Sequence, residues 1–182
     1  MGTRDTHTRA GAAERGGGRR IWLWAGGAAA AAAVVAGVFA YRAAVAQPGV
    51  RLPDQGNRHV QTLNETIPPY NSDPPTSGPH LPYIAPWGIH TEPIPRQLQV
   101  HNLEDGGVMV QYNCPDSCPD LVAKLKAIVS GYDHEVILAP YPGMKTRLAL
   151  TAWTRLDAFD DFDEKRIRGF ITAYRGIDHH PR

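Results

Sequence analysis

The 182-residue sequence has very little cysteine and almost no net charge. Two cysteines are too few for the disulfide-dense scaffold of a small secreted protein. A formal net charge of +1 lacks the basic surplus with which nucleic-acid-binding proteins contact phosphates, so no nucleic acid is expected as a partner. With 42% hydrophobic residues the chain is too apolar to be disordered throughout. These absences leave one modest globular domain with appended segments.

Motifs of several enzyme classes are missing as well. The sequence contains no G-x-S-x-G elbow, and its paired glycines lack the spacing of a phosphate-binding loop. Ser77 precedes His80 by three positions, but this spacing in a proline-rich loop does not by itself indicate a catalytic pair. No enzyme class is therefore predicted from a motif.

The one long uncharged run lies near the N-terminus, at residues 21–41. Its twenty residues from Ile21 to Ala40 would rise about 30 Å as a helix, enough to cross the hydrocarbon core of a bilayer. Arginines in residues 1–20 outnumber those just after the run, which keeps the N-terminal side inside. We therefore predict a basic cytoplasmic tail at residues 1–20, a single-pass membrane anchor at residues 21–41, and an extracytoplasmic remainder.

A cleaved export signal is the alternative interpretation of this segment. Ala44-Val45-Ala46 before Gln47 has the small-x-small form of a signal-peptidase site. Arg19-Arg20 resembles a twin-arginine signal, with Gly18 where Ser or Thr is usual. Both interpretations export the domain. Residues after Ala46 carry 13 basic and 16 acidic side chains, a net charge of −3, which disfavours a polyanion as partner.

Proline divides the exported chain into two halves. Eleven of the 16 prolines fall between Pro48 and Pro95. The segment 68–88 is not helical, because each proline ring fixes φ and removes an N–H. We predict an ordered loop rather than a linker, since its interleaved aromatic residues need a surface to pack on. A loop of this length in a compact domain, with this aromatic content, favours a functional role.

Regular secondary structure is predicted after this loop. Residues 108–112 have the apolar composition of a strand. Pro119 suits the first turn of a helix whose apolar spacing continues until Gly131. A second helix is predicted from Asp163 to Gly176, with an acidic cluster at its start that suits the positive end of the helix dipole.

Two apolar runs at 135–139 and 147–153 flank the turn Pro140-Tyr141-Pro142-Gly143 and are typical of an antiparallel hairpin. The expected fold is therefore α+β. It comprises a small antiparallel sheet with two helices on one face, preceded by the long proline-rich ordered loop and by one N-terminal transmembrane helix.

The two cysteines, Cys114 and Cys118, have the spacing C-x3-C just before the first predicted helix. Outside the cytoplasm a disulfide is the expected state. Thiolate ligation of a metal and redox exchange are the alternatives, because a cysteine near a helix N-terminus has a lowered pKa. The C-x-x-C spacing of thioredoxin-type enzymes is not met.

Histidine density is the main functional signal. Four of the eight histidines lie within 43 residues: His59, His80, His90 and His101. Glu104 and Asp105 follow His101, and two glycines then allow a tight turn before the strand. Imidazole and carboxylate donors would thus meet at the strand entrance, under the proline-rich loop, which predicts a zinc or copper site. The alternative is structural, in which these histidines only donate to loop carbonyls.

Several motifs resemble a known family. The segment Tyr70 to His80, YNSDPPTSGPH, together with Val100 to Val108, is similar to the DUF3105 family of exported or membrane-anchored prokaryotic proteins, whose function is not established. The similarity extends from GNRHV at residues 56–60 to RGFITAYRG at residues 168–176. It thus covers about residues 55–177.

The resemblance implies a domain at residues 55–177, between a linker at 42–54 and a tail at 178–182. It also implies that three histidines lie on family motif positions: His59, His80 and His101. Where the family pattern reads HNLEHGG, this chain has Asp105, so an oxygen replaces a candidate nitrogen ligand. Loss of one imidazole weakens a soft or borderline metal more than a hard one. The alternative is that this member of the family has lost the family's activity.

These observations predict an extracytoplasmic, membrane-tethered domain with a copper or zinc site. The predicted ligands are His59, His80, His101, Glu104 and Asp105. The expected role is metal handling or assembly of an envelope complex rather than catalysis, because no nucleophile or general base stands in a recognised arrangement. The alternatives are a metal-free module that binds an envelope protein through its proline-rich loop, and an enzyme whose histidines do acid–base work.

Overall fold

The computed structural model describes Gly2, residues 34–37 and residues 47–180. Residues 34–37 are helical. Within these described ranges, no helix is both long and apolar enough to span a bilayer. Most of the predicted anchor at residues 21–41 lies outside the described residues, so the anchor stays a prediction. A compact unit begins at Gln47, and the fold below is that of this unit.

A six-stranded mixed sheet forms the centre of residues 47–180. Its strands are β1 (Val50–Arg51), β2 (Gly88–Ile89), β3 (Val108–Tyr112), β4 (Val136–Pro140), β5 (Leu148–Ala152) and β6 (Arg155–Phe159). The spatial order is β1-β6-β5-β3-β4-β2. Strands β2, β4 and β3 run parallel, and the other pairings are antiparallel. The helices of this range are α1 (Arg96–Glu104), α2 (Pro119–Val129) and α3 (Glu164–Tyr174).

The α+β class is confirmed, but the purely antiparallel sheet and its predicted hairpin are wrong. Strands β4 and β5 do not pair with each other, because β3 lies between them: Val110 faces Leu138 on one side and Leu150 on the other. Helix α2 makes the crossover that parallel β3 and β4 require. The tight hairpin instead joins β5 to β6 through Trp153 and Thr154.

Helices α2 and α3 pack on the same face of the sheet, as predicted. They form one buried cluster with β3, β4 and β5, whose members include Leu125, Ile128, Ile167, Phe170, Val110, Leu138 and Leu150. The predicted helix starts are confirmed. Pro119 opens α2, and the Asp163 carboxylate caps α3 by accepting a hydrogen bond from the Arg166 N–H.

Helix α1 and the proline-rich loop cover the opposite face. Met109 and Ile137 of the sheet pack there against Leu103 of α1. The loop is ordered, as predicted, and residues 74–81 are buried without interruption. Asn102 of α1 ties the loop down, since its amide oxygen accepts the Ala85 N–H and its amide nitrogen donates to the Ala85 carbonyl, both at 2.9 Å.

The turn predicted at the two glycines before β3 is present, with Gly106 in the left-handed conformation, but helix α1, which precedes it, was not predicted. It begins after Pro95 without a side-chain cap. Its buried positions include polar side chains, Gln99, His101, Asn102 and Glu104, so the segment shows no apolar stripe of helical period.

The chain just after Gln47 also differs from expectation. Val50 pairs with Leu156, so β1 turns part of the predicted linker at residues 42–54 into an edge strand of the sheet. The Tyr174 hydroxyl donates to the Pro48 carbonyl at 2.6 Å, which fastens this strand to α3.

Candidate metal centre

The end of helix α1 presents two of the candidate ligands. His101 and Glu104 are three positions apart and therefore share a face of the helix. Gly106, with φ of +80°, ends the helix in the left-handed conformation. A Cβ on Gly107 would lie 2.4 Å from the Asn102 carbonyl oxygen, so only glycine fits the close approach that leads into β3.

His59 and His80 are brought together by backbone pairing within the loop. The two residues form an isolated parallel β-bridge. The His80 N–H donates to the Arg58 carbonyl at 3.0 Å, and the Val60 N–H donates to the His80 carbonyl at 2.7 Å. This pairing sets the centroids of the two imidazole rings 5.0 Å apart.

Three imidazoles and one carboxylate meet at this point. The His101 ring lies 5.3 Å from the His59 ring and 5.1 Å from the His80 ring, between centroids. Glu104 Oε2 is 2.8 Å from His80 Nε2 and 3.7 Å from His59 Nε2. One ligand atom of each of the four residues lies within 4.8 Å of all the others. This set, called the inner group, could hold a metal ion.

The hydrogen bonds of His80 fix its tautomer. Nδ1 lies 2.8 Å from the Gly78 carbonyl oxygen, which only accepts, so Nδ1 carries the hydrogen. In the neutral imidazole, Nε2 then presents a lone pair to Glu104 Oε2 at 2.8 Å, and an ionised carboxylate presents lone pairs in return. Two acceptors this close need a proton or a cation shared between them, because both side chains are buried from water, at 0% and 1% exposure.

His101 is held in the form that binds metals. Burial lowers its pKa, although the nearby Asp105 carboxylate opposes this effect, so the neutral imidazole is favoured. Its Nδ1 is buried and makes no hydrogen bond within the described residues. A buried polar atom without a partner costs free energy, and a bound ligand is one explanation of such an atom.

A second set of ligand atoms adjoins the inner group. His101, Asp105 and His180 also offer atoms within 4.8 Å of one another, and this set is called the outer group. His180 Nε2 lies 3.6 Å from both Glu104 Oε2 and Asp105 Oδ1. Its Nδ1 donates to Asp178 Oδ1 at 2.7 Å, and this bond raises the pKa of His180.

Residues 178–180 fold back onto the site instead of forming the predicted tail. The His179 N–H donates to the Glu104 carbonyl at 2.9 Å. The His179 ring stacks on Trp153 at 5.8 Å, and burial lowers the pKa of His179. Trp153 in turn meets the His80 ring edge-on at 6.2 Å and donates to Asp54 at 3.1 Å. The indole thus forms a wall of the site.

The family model described as protein of unknown function (DUF3105) matches residues 59–182. The chain belongs to the DUF3105 family. The match includes His179 and His180, which the motifs alone had left outside the domain. No curated protein matches the chain, and no solved structure does. The geometry of the two ligand groups therefore carries the functional argument for this DUF3105 domain.

The structure brings together four of the five sequence-predicted ligands. The fifth, Asp105, lies in the outer group instead, one position beyond Glu104 and on the His180 side. His90, which the sequence also singles out, belongs to neither group, and its Nε2 donates to the Pro86 carbonyl at 2.7 Å.

His180 is the residue that the sequence pattern did not indicate, because no motif surrounds it. The sequence feature that could have indicated its position is Gly176, which ends α3 in the left-handed conformation and lets the chain turn back. The Gly176 N–H donates to the Gly106 carbonyl at 2.9 Å, beside the end of α1.

Cys114 and Cys118 form a disulfide at the start of α2, with their Cα atoms 5.8 Å apart. Both sulfurs are used in this bridge, and neither cysteine belongs to the inner or the outer group. In this DUF3105 domain the disulfide therefore cross-links the chain and supplies no ligand to the candidate metal site.

Proposed function

We propose that this DUF3105 domain binds one zinc or copper ion at the inner group and handles that metal as a membrane-tethered, extracytoplasmic protein. The observation that carries the proposal is the contact of His80 Nε2 with Glu104 Oε2. Without a proton between them, both atoms would present lone pairs at 2.8 Å in a buried place, and a bound cation would satisfy both at once.

The donor set suits these metals. Three imidazole nitrogens and one carboxylate oxygen are ligands that zinc accepts in four-coordinate sites and that copper also accepts. Calcium and magnesium prefer oxygen ligands throughout, so the histidines argue against them. His59 leaves 42% of its side chain exposed, which gives the ion a solvent side and favours an exchangeable metal over a sealed structural one.

The surroundings of His80 have the form expected of a metal ligand. Metal-binding histidines usually donate their second ring N–H to a carbonyl or carboxylate, which fixes the ring and aims the other nitrogen at the ion. His80 makes this bond to Gly78, and Trp153 shields the ring from the side.

A metal-free protein is the competing account. In it, a proton lies between His80 and Glu104, and the pair is a buried imidazolium–carboxylate bridge with no ligand. Glu104→Gln separates the accounts, because a neutral amide donates to the His80 lone pair and replaces the proton but is a poor ligand for zinc.

The test is a titration of the purified full chain with Zn²⁺ and with Cu²⁺ against a chromophoric chelator. We expect one ion per chain, and Glu104→Gln should weaken binding by more than about 100-fold, since even outer partners of ligands are worth about 10–100-fold. His134→Ala is the matched control, because this exposed histidine lies outside both groups. Equal affinities in the wild-type protein and Glu104→Gln would contradict the proposal.

A further inference from the structure

The inner and outer groups are not separate sites. They share His101, and Glu104 Oε2 of the inner group is 3.6 Å from His180 Nε2 of the outer group. A neutral imidazole has one lone pair, so His101 can bind an ion in one group or in the other, but not in both at once. The two groups are therefore alternative positions for a single ion.

The outer group opens on a surface cavity of about 380 Å³. Its polar lining includes three carboxylates and two imidazoles: Asp105, Glu135, Asp178, His134 and His180. An acidic concave surface raises the local concentration of cations. An ion in the inner group, by contrast, would be bound through side chains of which two, His80 and Glu104, are almost completely buried.

His180 is prepared as a ligand in the same way as His80. Its Nδ1 donates to the Asp178 carboxylate, which directs Nε2 toward Glu104 and Asp105. Unlike His80, it remains 43% exposed, so it can reach an ion in the cavity.

We infer that His180 and Asp105 pass the metal ion between this cavity and the inner group, with His101 as the shared ligand. The inference rests on the proposed function, because it requires an ion in the inner group. It makes the outer group a transfer position with the same ligand chemistry as the inner one, and it gives the DUF3105 domain a defined side for uptake and release of the metal.

A transfer position changes rates and leaves the equilibrium alone. Removing the His180 imidazole raises the barrier for entry and for exit equally, so both rates fall and the dissociation constant stays the same. His59 offers a second exposed edge of the inner group, and if the ion used that edge, His180 would not affect either rate.

The experiment follows zinc release from the loaded full chain to excess EDTA, and zinc uptake by the metal-free chain, by stopped flow. We expect His180→Ala and Asp105→Asn each to slow both processes by about tenfold, while the dissociation constant changes by less than about twofold. His134→Ala is the control, because His134 lines the same cavity without belonging to either group.

Three results would overturn the inference while the inner site stands. They are unchanged rates in both outer-group variants, a large loss of affinity in His180→Ala, which would make His180 a ligand of the inner ion, and two zinc ions bound per wild-type chain. Absence of zinc and copper binding in the wild-type protein would instead overturn the proposed function, and the inference with it.

Discussion

The two faces of the sheet bury different kinds of side chain. On the face covered by α2 and α3, the interior consists of aliphatic and aromatic residues such as Leu125, Leu150 and Phe170. On the face covered by α1 and the proline-rich loop, apolar contacts alternate with buried polar side chains. Gln111 of β3, for example, donates to Gln99 of α1 at 2.7 Å in the interior.

The polar face also contains buried side-chain atoms that make no hydrogen bond within the described residues. The buried side-chain atoms that have no hydrogen-bond partner within the described residues are Ser72 Oγ, Thr76 Oγ1, His101 Nδ1, Gln111 Oε1 and Thr151 Oγ1. None belongs to the apolar cluster beneath α2 and α3. Apolar burial is non-directional and holds the fold, whereas a polar interior costs stability and is retained where it positions chemistry. The comparison therefore places most of the apolar stabilisation on one face and the candidate metal site on the other.

The largest change in the free energy of unfolding is expected from a substitution on the apolar face. Phe170→Ala should lower the free energy of unfolding by about 3–5 kcal/mol, because it removes a completely buried ring and leaves a cavity. Urea unfolding followed by circular dichroism measures this change. The molecules that stay folded should bind metal with unchanged affinity, and a loss of affinity among them would break the division between the faces.

A smaller loss of unfolding free energy is expected when the contact between the proline-rich loop and helix α1 is removed. Asn102→Ala leaves the buried N–H and carbonyl of Ala85 without partners, which should cost about 2–3 kcal/mol. Hydrogen exchange should show that the Ala85 amide loses its protection. Ser130→Ala, which removes an exposed hydroxyl, should change stability by less than about 0.5 kcal/mol. Equal losses in the two variants would mean that Asn102 does not hold the loop.

The disulfide is expected to contribute to stability and not to metal binding. It closes a short loop between residues separated by four positions, so its removal in the double variant Cys114→Ser/Cys118→Ser should cost about 2 kcal/mol through chain entropy. Thermal unfolding with and without reductant measures this cost. Metal affinity should not change, and a change would link the cysteines to the site.

Among the variants that remove a proposed contact, Glu104→Gln is expected to change the stability of the metal-free fold least. The new amide can donate to His80 Nε2 while His80 Nδ1 keeps its bond to Gly78, so the free energy of unfolding should shift by less than about 1 kcal/mol. The added stability from zinc, about 2.7 kcal/mol at 100 times the dissociation constant in the wild-type protein, should disappear. Zinc that stabilises Glu104→Gln as much as it stabilises the wild-type protein would contradict a metal site at Glu104.

The predictable part of the fold followed from local patterns. The helical spacing from Pro119 and from Asp163 and the apolar run at Val108 predicted α2, α3 and β3 correctly. Strands β4 and β5 were found, but their pairing was not, because the insertion of β3 between them is a long-range feature that the turn sequence does not encode. Helix α1 was missed because its buried side is partly polar and its start has no cap.

The candidate site likewise contains residues that local sequence patterns predict and one that only the folded chain reveals. The density of histidines and the family motifs identified His59, His80 and His101, and proximity to His101 added Glu104. His180 could not be identified in this way, because its place depends on the return of the chain after Gly176 and on the stacking of His179 on Trp153.

The central claim is that the inner group holds a metal ion, and elemental analysis of the purified full chain tests it most directly. The wild-type protein and His134→Ala should each carry about one zinc or copper ion per chain, and His80→Ala/His101→Ala should carry none. Circular dichroism of the double variant checks that it is folded. Metal-free wild-type protein, or the same metal content in the folded double variant, would contradict the account.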